Sequence, residues 1–347
     1  MNLKRLAEIL NLSQTTVSRA LNGYSDVSEA TRTRVQQAAE QYDYRPSMRA
    51  KSLATGRAMA IGHVIPVTSS HEMVNPVFGD FIAGAGETYS SRGYDTLLKL
   101  VPDGDEERVY RDLKSRGTVD GIIVHGPRMN DQRIALLHEI GLPFVVHGRA
   151  SDIEGGYSWL DVNNKSAFER ATKFLLDLGH SRIALINGLE EMDFAHRRRN
   201  GYVQALRDRH IDPDPALMRS EEMTEIYGYR SAREMLSLPA APTAFLTSSM
   251  ISAIGVRRAL EDAGLKMGRD VSVITHDDDL SYLKNGEGVP IFTATRSSVR
   301  DAGRECAKML LDYIQDPSME PVTRLLEVDL TVGYSTEPVS RHALVQG

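Results

Sequence analysis

At 347 residues with 41% hydrophobic content, the chain is long enough for two or three packed domains. Its longest apolar runs are strand-length, which excludes a helical membrane span, and its first residues lack the apolar stretch and small-residue cleavage site of an export signal. One cysteine, Cys306, excludes an internal disulfide and a cysteine-rich metal site, so a cytoplasmic setting is expected. The net charge of −6 is unevenly spread: residues 1–57 hold nine Lys/Arg and five Asp/Glu, the other 290 hold 32 and 42. A basic head on an acidic body suits a module that approaches phosphate while the rest is repelled by it.

Leu3, Leu6, Ala7 and Leu10 fall at helical spacing and predict a first helix with one buried stripe. Asn11-Leu12 interrupts it, and asparagine tolerates a left-handed turn. Ser13 is placed to cap a second helix in which Val17, Ala20 and Leu21 share one face and Gln14, Thr15, Ser18 and Arg19 the other. Two short helices joined by a tight turn make a helix-turn-helix, whose second helix reads the DNA major groove. The candidate DNA contacts are Lys4, Ser13, Gln14, Thr15, Thr16, Ser18, Arg19 and Asn22. An amphipathic hairpin with a solvated polar face fits the same residues. Ser28 opens a third helix with Glu29 in its first turn and a stripe of Thr31, Val35, Ala38, Ala39 and Tyr42. Pro46 ends the unit.

Beyond Arg57 the pattern changes. Strands are predicted over 59–65, 95–101, 121–124 and 144–147, with helices over 78–91, 105–116 and 131–140 between them. The alternation repeats with helices over 165–178, 199–209, 228–236, 250–263 and 299–314, and strands over 182–187, 243–247, 271–276 and 292–295. Such alternation argues for βαβ units and parallel sheets.

The strings Thr16-Val17-Ser18-Arg19-Ala20-Leu21-Asn22, Val27-Ser28-Glu29-Ala30-Thr31-Arg32 and Tyr42-Asp43-Tyr44-Arg45-Pro46 closely resemble the LacI/GalR family of bacterial transcription regulators. The resemblance covers nearly the whole chain. It implies an all-α helix-turn-helix head over 1–45, a hinge helix over 46–57, and an α/β core of two doubly wound lobes like that of periplasmic sugar-binding proteins. The implied lobes are 58–161 with 290–320 and 162–289 with 321–340, followed by a tail over 341–347. The implied hinge helix inserts Leu53 into the minor groove, with Arg49 and Lys51 near phosphates; a small apolar wedge beside two cations suits a kinked step. A plain linker is the other reading of that stretch. Asn11-Leu12 departs from the family's usual Gly-Val turn, and Gln14-Thr15 occupies the pair that varies with the operator.

Ligands of open α/β sheets bind at the carboxyl ends of strands. The resemblance implies effector contacts there from Arg198 and Asp277, with Phe78, Asp80, His147, Arg149, Asn163 and Ser248 as further candidates. A guanidinium suits vicinal hydroxyls because its donors form a rigid fork. In His276-Asp277-Asp278-Asp279, adjacent side chains cannot all reach one ion, so no metal is expected and Asp278 reads as structural. Trp159 reads equally as a stacking platform or as core. His147-Gly148-Arg149 resembles a subgroup tied to α-glucosides and related disaccharides.

No cofactor is expected: Gly84-Ala85-Gly86 lacks the third glycine of a dinucleotide loop, and Cys306 falls inside a predicted helix. The expected partners are operator DNA, a sugar effector and a second copy of the chain. A regulator that needs the sugar as corepressor, a sugar-binding protein without DNA function, and an α/β enzyme are the alternatives. The head over 1–57 argues against the sugar-binding protein, and the lack of a P-loop, zinc motif or nucleophile elbow argues against the enzyme.

Overall fold

A computed structural model describes residues 1–21, 23–44, 56–67, 75–102 and 104–339. The chain divides into two units, Met1–Met59 and Ala60–Gly347.

In the first unit, helices α1 (Leu3–Leu10), α2 (Gln14–Leu21) and α3 (Glu29–Gln41) each start on a side-chain oxygen. Asn2 accepts from the Arg5 amide at 2.9 Å, Ser13 from Thr16 at 3.0 Å and Ser28 from Thr31 at 3.3 Å. These bonds satisfy amides that have no partner inside the helix. Asn11 closes α1 at φ 52°, the left-handed turn its short polar side chain permits. Leu6, Ala7, Leu10, Val17, Ala20, Val27, Val35, Ala38 and Ala39 close the core, with Leu21 packed at its edge. Tyr42, expected on the buried stripe, is exposed because α3 has ended one residue before it.

The second unit runs β1 (Ala60–Val67), α4 (Pro76–Ser91), β2 (Asp95–Pro102), α5 (Glu106–Ser115), β3 (Gly121–His125), α6 (Gln132–Glu139), β4 (Phe144–His147) and β5 (Ser158–Val162). It continues with α7 (Asn164–Asp177), β6 (Ile183–Asn187), α8 (Asp193–Arg207), β7 (Met218–Ser220), α9 (Glu225–Leu236), β8 (Ala244–Thr247), α10 (Met250–Asp262) and β9 (Ser272–Asp277). Last come β10 (Thr293–Arg296), α11 (Val299–Gln315), β11 (Thr323–Leu326) and β12 (Asp329–Thr331). Two six-stranded sheets result, ordered β11-β5-β4-β3-β1-β2 and β12-β10-β9-β8-β6-β7. The first is parallel throughout; in the second only β12 runs antiparallel. Central strands such as Ile183–Asn187 are buried on both faces and read as continuous apolar runs for that reason.

The lobes exchange chain differently from the expected division. β10 pairs with β9 in the second sheet, although 290–320 was expected in the first lobe. β11 pairs with β5 in the first sheet, although 321–340 was expected in the second. The first crossing lies between β5 and α7, near 161 as expected; the other two lie between β10 and α11 and between β11 and β12, several residues beyond 289 and 321. A strand's sheet is fixed by its ladder partner, here more than a hundred residues away for β11, and local patterning carries no such information. Strands β5, β7, β11 and β12 were also missed. Helix α8 starts at Asp193, six residues earlier than expected.

Candidate functional site

Segments following the carboxyl ends of strands in both sheets are tied together through Asp80 and Ser281 and through Asp193 and Ser151, and the side chains gathered there from the two lobes differ chemically. On the second lobe the centre is Arg198, in the middle of α8. Helix α8 lies against α7 at Gly201, where a Cβ would come 2.1 Å from the Lys165 carbonyl oxygen. That close approach lets Arg198 donate from Nε to Asn164 Oδ1 at 2.8 Å, at the start of α7. Nη1 donates to the Ser248 carbonyl at 2.5 Å, and Phe168 and Phe194 lie 5.1 and 5.0 Å from the guanidinium carbon. Nη2 has no hydrogen-bond partner among the described residues. Burial lowers the Arg198 pKa to about 10, so it keeps its charge at pH 7. Arg198 is a buried, fixed cation and not a solvated helix start.

The carboxylates around it are Asp278 and Asp161, both raised by burial to about 6. Asp161 accepts from Arg149 Nε at 3.0 Å and Asn164 Nδ2 at 3.2 Å, and Arg149 lies over Trp159 at 5.2 Å. Trp159 itself packs against the first-lobe core. A polar chain thus runs Arg149–Asp161–Asn164–Arg198–Ser248, and Ser248 Oγ donates to Asn187 Oδ1 at 2.6 Å.

Three expected site residues are otherwise engaged. Asp277 Oδ1 accepts from the Asp279 amide at 2.8 Å, bracing its own loop. Asp278, read as structural, is the carboxylate whose charge Arg198 feels. Asn163 caps α7, accepting from Ser166 and donating to Glu327 Oε1 at 2.7 Å; its neighbour Asn164 is the one that holds Arg198. Asp80 takes the amide and hydroxyl of Ser281 at 2.7 Å each, with Arg300 at 3.3 Å, so it ties α4 of the first lobe to the loop after β9. A second tie joins the lobes where Asp193 accepts from the Ser151 amide at 2.6 Å and donates its own amide to the Pro127 carbonyl at 2.9 Å.

The first-lobe face is built from rings. His125 and His147 end β3 and β4, and His63 lies within β1. Phe81 is centred 4.4 Å from His147 and 4.8 Å from His125, and Phe78 is 5.0 Å from His125. Burial lowers His63 to about 3, His147 to about 4, and His125 well below its ordinary value, so all three are neutral at pH 7. The sequence reading found His147 but missed His63 and His125; each stands in an apolar strand, where a lone polar residue is the available signal. Among the described residues no cluster of His, Cys, Asp and Glu has the arrangement of a metal site.

On the helix-turn-helix, Lys4, Gln14, Thr15 and Arg19 are exposed and Thr16 and Ser18 partly so. Ser13 Oγ is spent on its cap and on the Thr16 hydroxyl at 2.8 Å. Arg19 lies over Tyr24 at 4.9 Å and pairs with Asp26 at 2.6 Å, contacts it must exchange to reach a base edge. Asn22, Arg49, Lys51 and Leu53 lie outside the described residues. Among the described residues no helix is long and apolar enough to cross a membrane. Cys306 is buried in α11, where burial raises its thiol pKa well above the ordinary value.

Residues 2–47 match the family model described as bacterial regulatory proteins, lacI family, and 172–336 match a periplasmic binding protein-like domain. The chain is 44% identical to the HTH-type transcriptional regulator AglR of Rhizobium meliloti (strain 1021), covering 97% of this chain and 95% of that one. It is 34% identical to the HTH-type transcriptional regulator RafR of Escherichia coli, over 92% and 94%. A solved complex of the transcriptional regulator CelR with cellobiose superposes with a TM-score of 0.71 at 28% identity, over 96% and 99%. The lac repressor dimer bound to operator and the anti-inducer ONPF shares the fold, with a TM-score of 0.83 over 97% and 99% at 24% identity.

Proposed function

Because the chain belongs to the lacI family of bacterial regulatory proteins and is a DNA-binding transcriptional regulator, we propose that it represses a carbohydrate operon and leaves its operator when a sugar binds between its lobes. The observation that carries this reading is the buried Arg198 fork. Its Nε and Nη1 are held in place, Nη2 is unspent, and the guanidinium is held between two phenyl rings at a strand-end cleft. A fixed planar donor facing rings and neutral imidazoles matches a ligand with dense hydroxyls and apolar C–H faces. The cellobiose bound by the CelR neighbour and the His147-Gly148-Arg149 motif favour a disaccharide. Arg198, Asp278, Ser248, His125, His147 and Phe78 are its contacts, with Arg149 and Asp161 bracing Arg198 through Asn164. Asp277, Asp80 and Asn163 shape the loops around it.

The working form is a cytoplasmic homodimer that presents two heads to a two-fold related operator; a lac repressor dimer bound to operator shares the fold. Lys4, Gln14, Thr15, Thr16, Ser18 and Arg19 face DNA, joined by Asn22, Arg49, Lys51 and the Leu53 wedge. The test is a gel shift on the promoter flanking the gene, repeated with sucrose, maltose, trehalose, melibiose, raffinose and cellobiose. Release by one or more of them is the expected result. Unchanged binding with all six overturns the disaccharide assignment, and tighter binding makes the sugar a corepressor.

A further inference from the structure

Of the three histidines in the ring cluster, His63 is the one with both ring nitrogens engaged. Nδ1 lies 2.9 Å from His125 Nε2, and Nε2 lies 3.1 Å from the Tyr89 hydroxyl. His63 is fully buried, and burial keeps it and His125 uncharged at pH 7. A neutral imidazole has one N–H and one bare nitrogen, so each of its two bonds dictates the other. The Tyr89 hydroxyl is fully buried with no other hydrogen-bond partner among the described residues, so accepting from Nε2 would leave its own proton unpaired, and it donates instead. With Tyr89 donating to Nε2, His63 carries its proton on Nδ1 and gives it to Nε2 of His125. His125 then holds its own proton on Nδ1, which has no partner among the described residues.

We propose that Tyr89 and His63 are positioning residues that lock His125 in the Nδ1–H tautomer, so that His125 meets the effector as an obligate donor and selects for an acceptor oxygen. The inference rests on the sugar reading of the cleft and extends it to the chemistry of one contact. It also gives a reason for a histidine in the middle of β1, where an apolar residue packs equally well. The relay stays fixed because its members stand on β1, β3 and α4, with Phe81 packed edge-on to both His63 and His125, at 6.3 and 4.8 Å. His147, beside His125 at 5.9 Å, has no hydrogen-bond partner among the described residues and is outside the lock.

The test has two arms on the full-length protein. Magic-angle-spinning NMR of histidine-labelled protein reads the tautomers, with His125 assigned by difference from His125→Gln. The relay predicts a single Nδ1–H form for His125, and a mixture in Tyr89→Phe, where His63 is released. Calorimetry with the same six sugars then compares Tyr89→Phe with the unsubstituted chain; affinity should fall about fivefold, the worth of one neutral hydrogen bond. His63→Gln, whose amide can accept from Tyr89 and donate to His125, should restore most of what His63→Leu loses. An Nε2–H form of His125 in the unsubstituted protein, or a Tyr89→Phe chain that binds as tightly, overturns the proposal. If none of the six sugars binds the unsubstituted chain, the sugar reading fails, and the spectrum alone still decides the relay.

Discussion

The two faces of the cleft use opposite electrostatics. The second-lobe face holds a permanent cation, Arg198, beside the buried Asp278, and Asp161 of the first lobe's β5 lies near it; burial raises both carboxyls to about 6. The first-lobe face holds three neutral imidazoles among phenyl rings. The charged face is anchored by hydrogen bonds that fix where donors stand, and in the proposed sugar site it is the face suited to orient the ligand. The ring face is shaped by packing and tautomer, so it sets which ligand fits. One lobe alone offers only one of the two faces, which is a physical reason for a ligand to alter the angle between them.

The largest contrast comes from removing the cation. Arg198→Ala leaves Asn164 and the Ser248 carbonyl without their partner and should weaken sugar binding at least about 100-fold, since a charged hydrogen-bonding group is lost from a buried site. His147→Ala on the ring face should cost about tenfold or less, as a neutral contact. Calorimetry on both variants checks the ordering, and equal losses break the comparison.

Acid should separate the faces next. A histidine lowered on folding contributes stability that is complete above its unfolded value near 6.5 and is lost as pH falls toward the folded value. Between pH 7 and 5 His63 and His147 should each cost about 2 kcal/mol, and His125 adds a loss of the same sign. Asp161 and Asp278, raised to about 6, work the other way and return about 1 kcal/mol each over the same range. Urea melts should show a net loss of a few kcal/mol at pH 5, smaller in His63→Gln. A chain as stable at pH 5 as at pH 7 contradicts the neutral ring face.

The ties between the lobes rank third. Asp80→Ala removes the acceptor of both Ser281 bonds and should weaken the closed arrangement by about 1–2 kcal/mol. Small-angle scattering with and without sugar would read this as a larger change on binding. A smaller effect lies in the head: Ser13→Ala should destabilise it by about 1 kcal/mol through loss of the α2 cap, read by thermal melting.

How much of this was legible depends on the range of the contacts involved. The three head helices, the Ser13 and Ser28 caps and the left-handed Asn11 were readable because capping and turn chemistry are local. Arg198 was readable through its motif, and the alternating body through its periodicity. The assignment of β10 and β11 was not, because it rests on ladders to distant strands. Asn163 and Asn164 differ by one position at a helix start, yet that step turns one outward as a cap and the other inward to Arg198. Asp277 and Asp278 divide in the same way, one bracing its loop and the other facing the cation. His63 and His125 meet only because β1 and β3 are neighbours in the sheet.

The central claim is that the cleft and the DNA-reading helix are coupled. Fluorescence anisotropy of a labelled operator, titrated with the chain in the absence and presence of a saturating disaccharide, measures that coupling directly. The account predicts operator affinity at least about tenfold weaker with sugar, a coupling near 1.4 kcal/mol or more. Identical operator affinity with a sugar that calorimetry shows to be bound would contradict it.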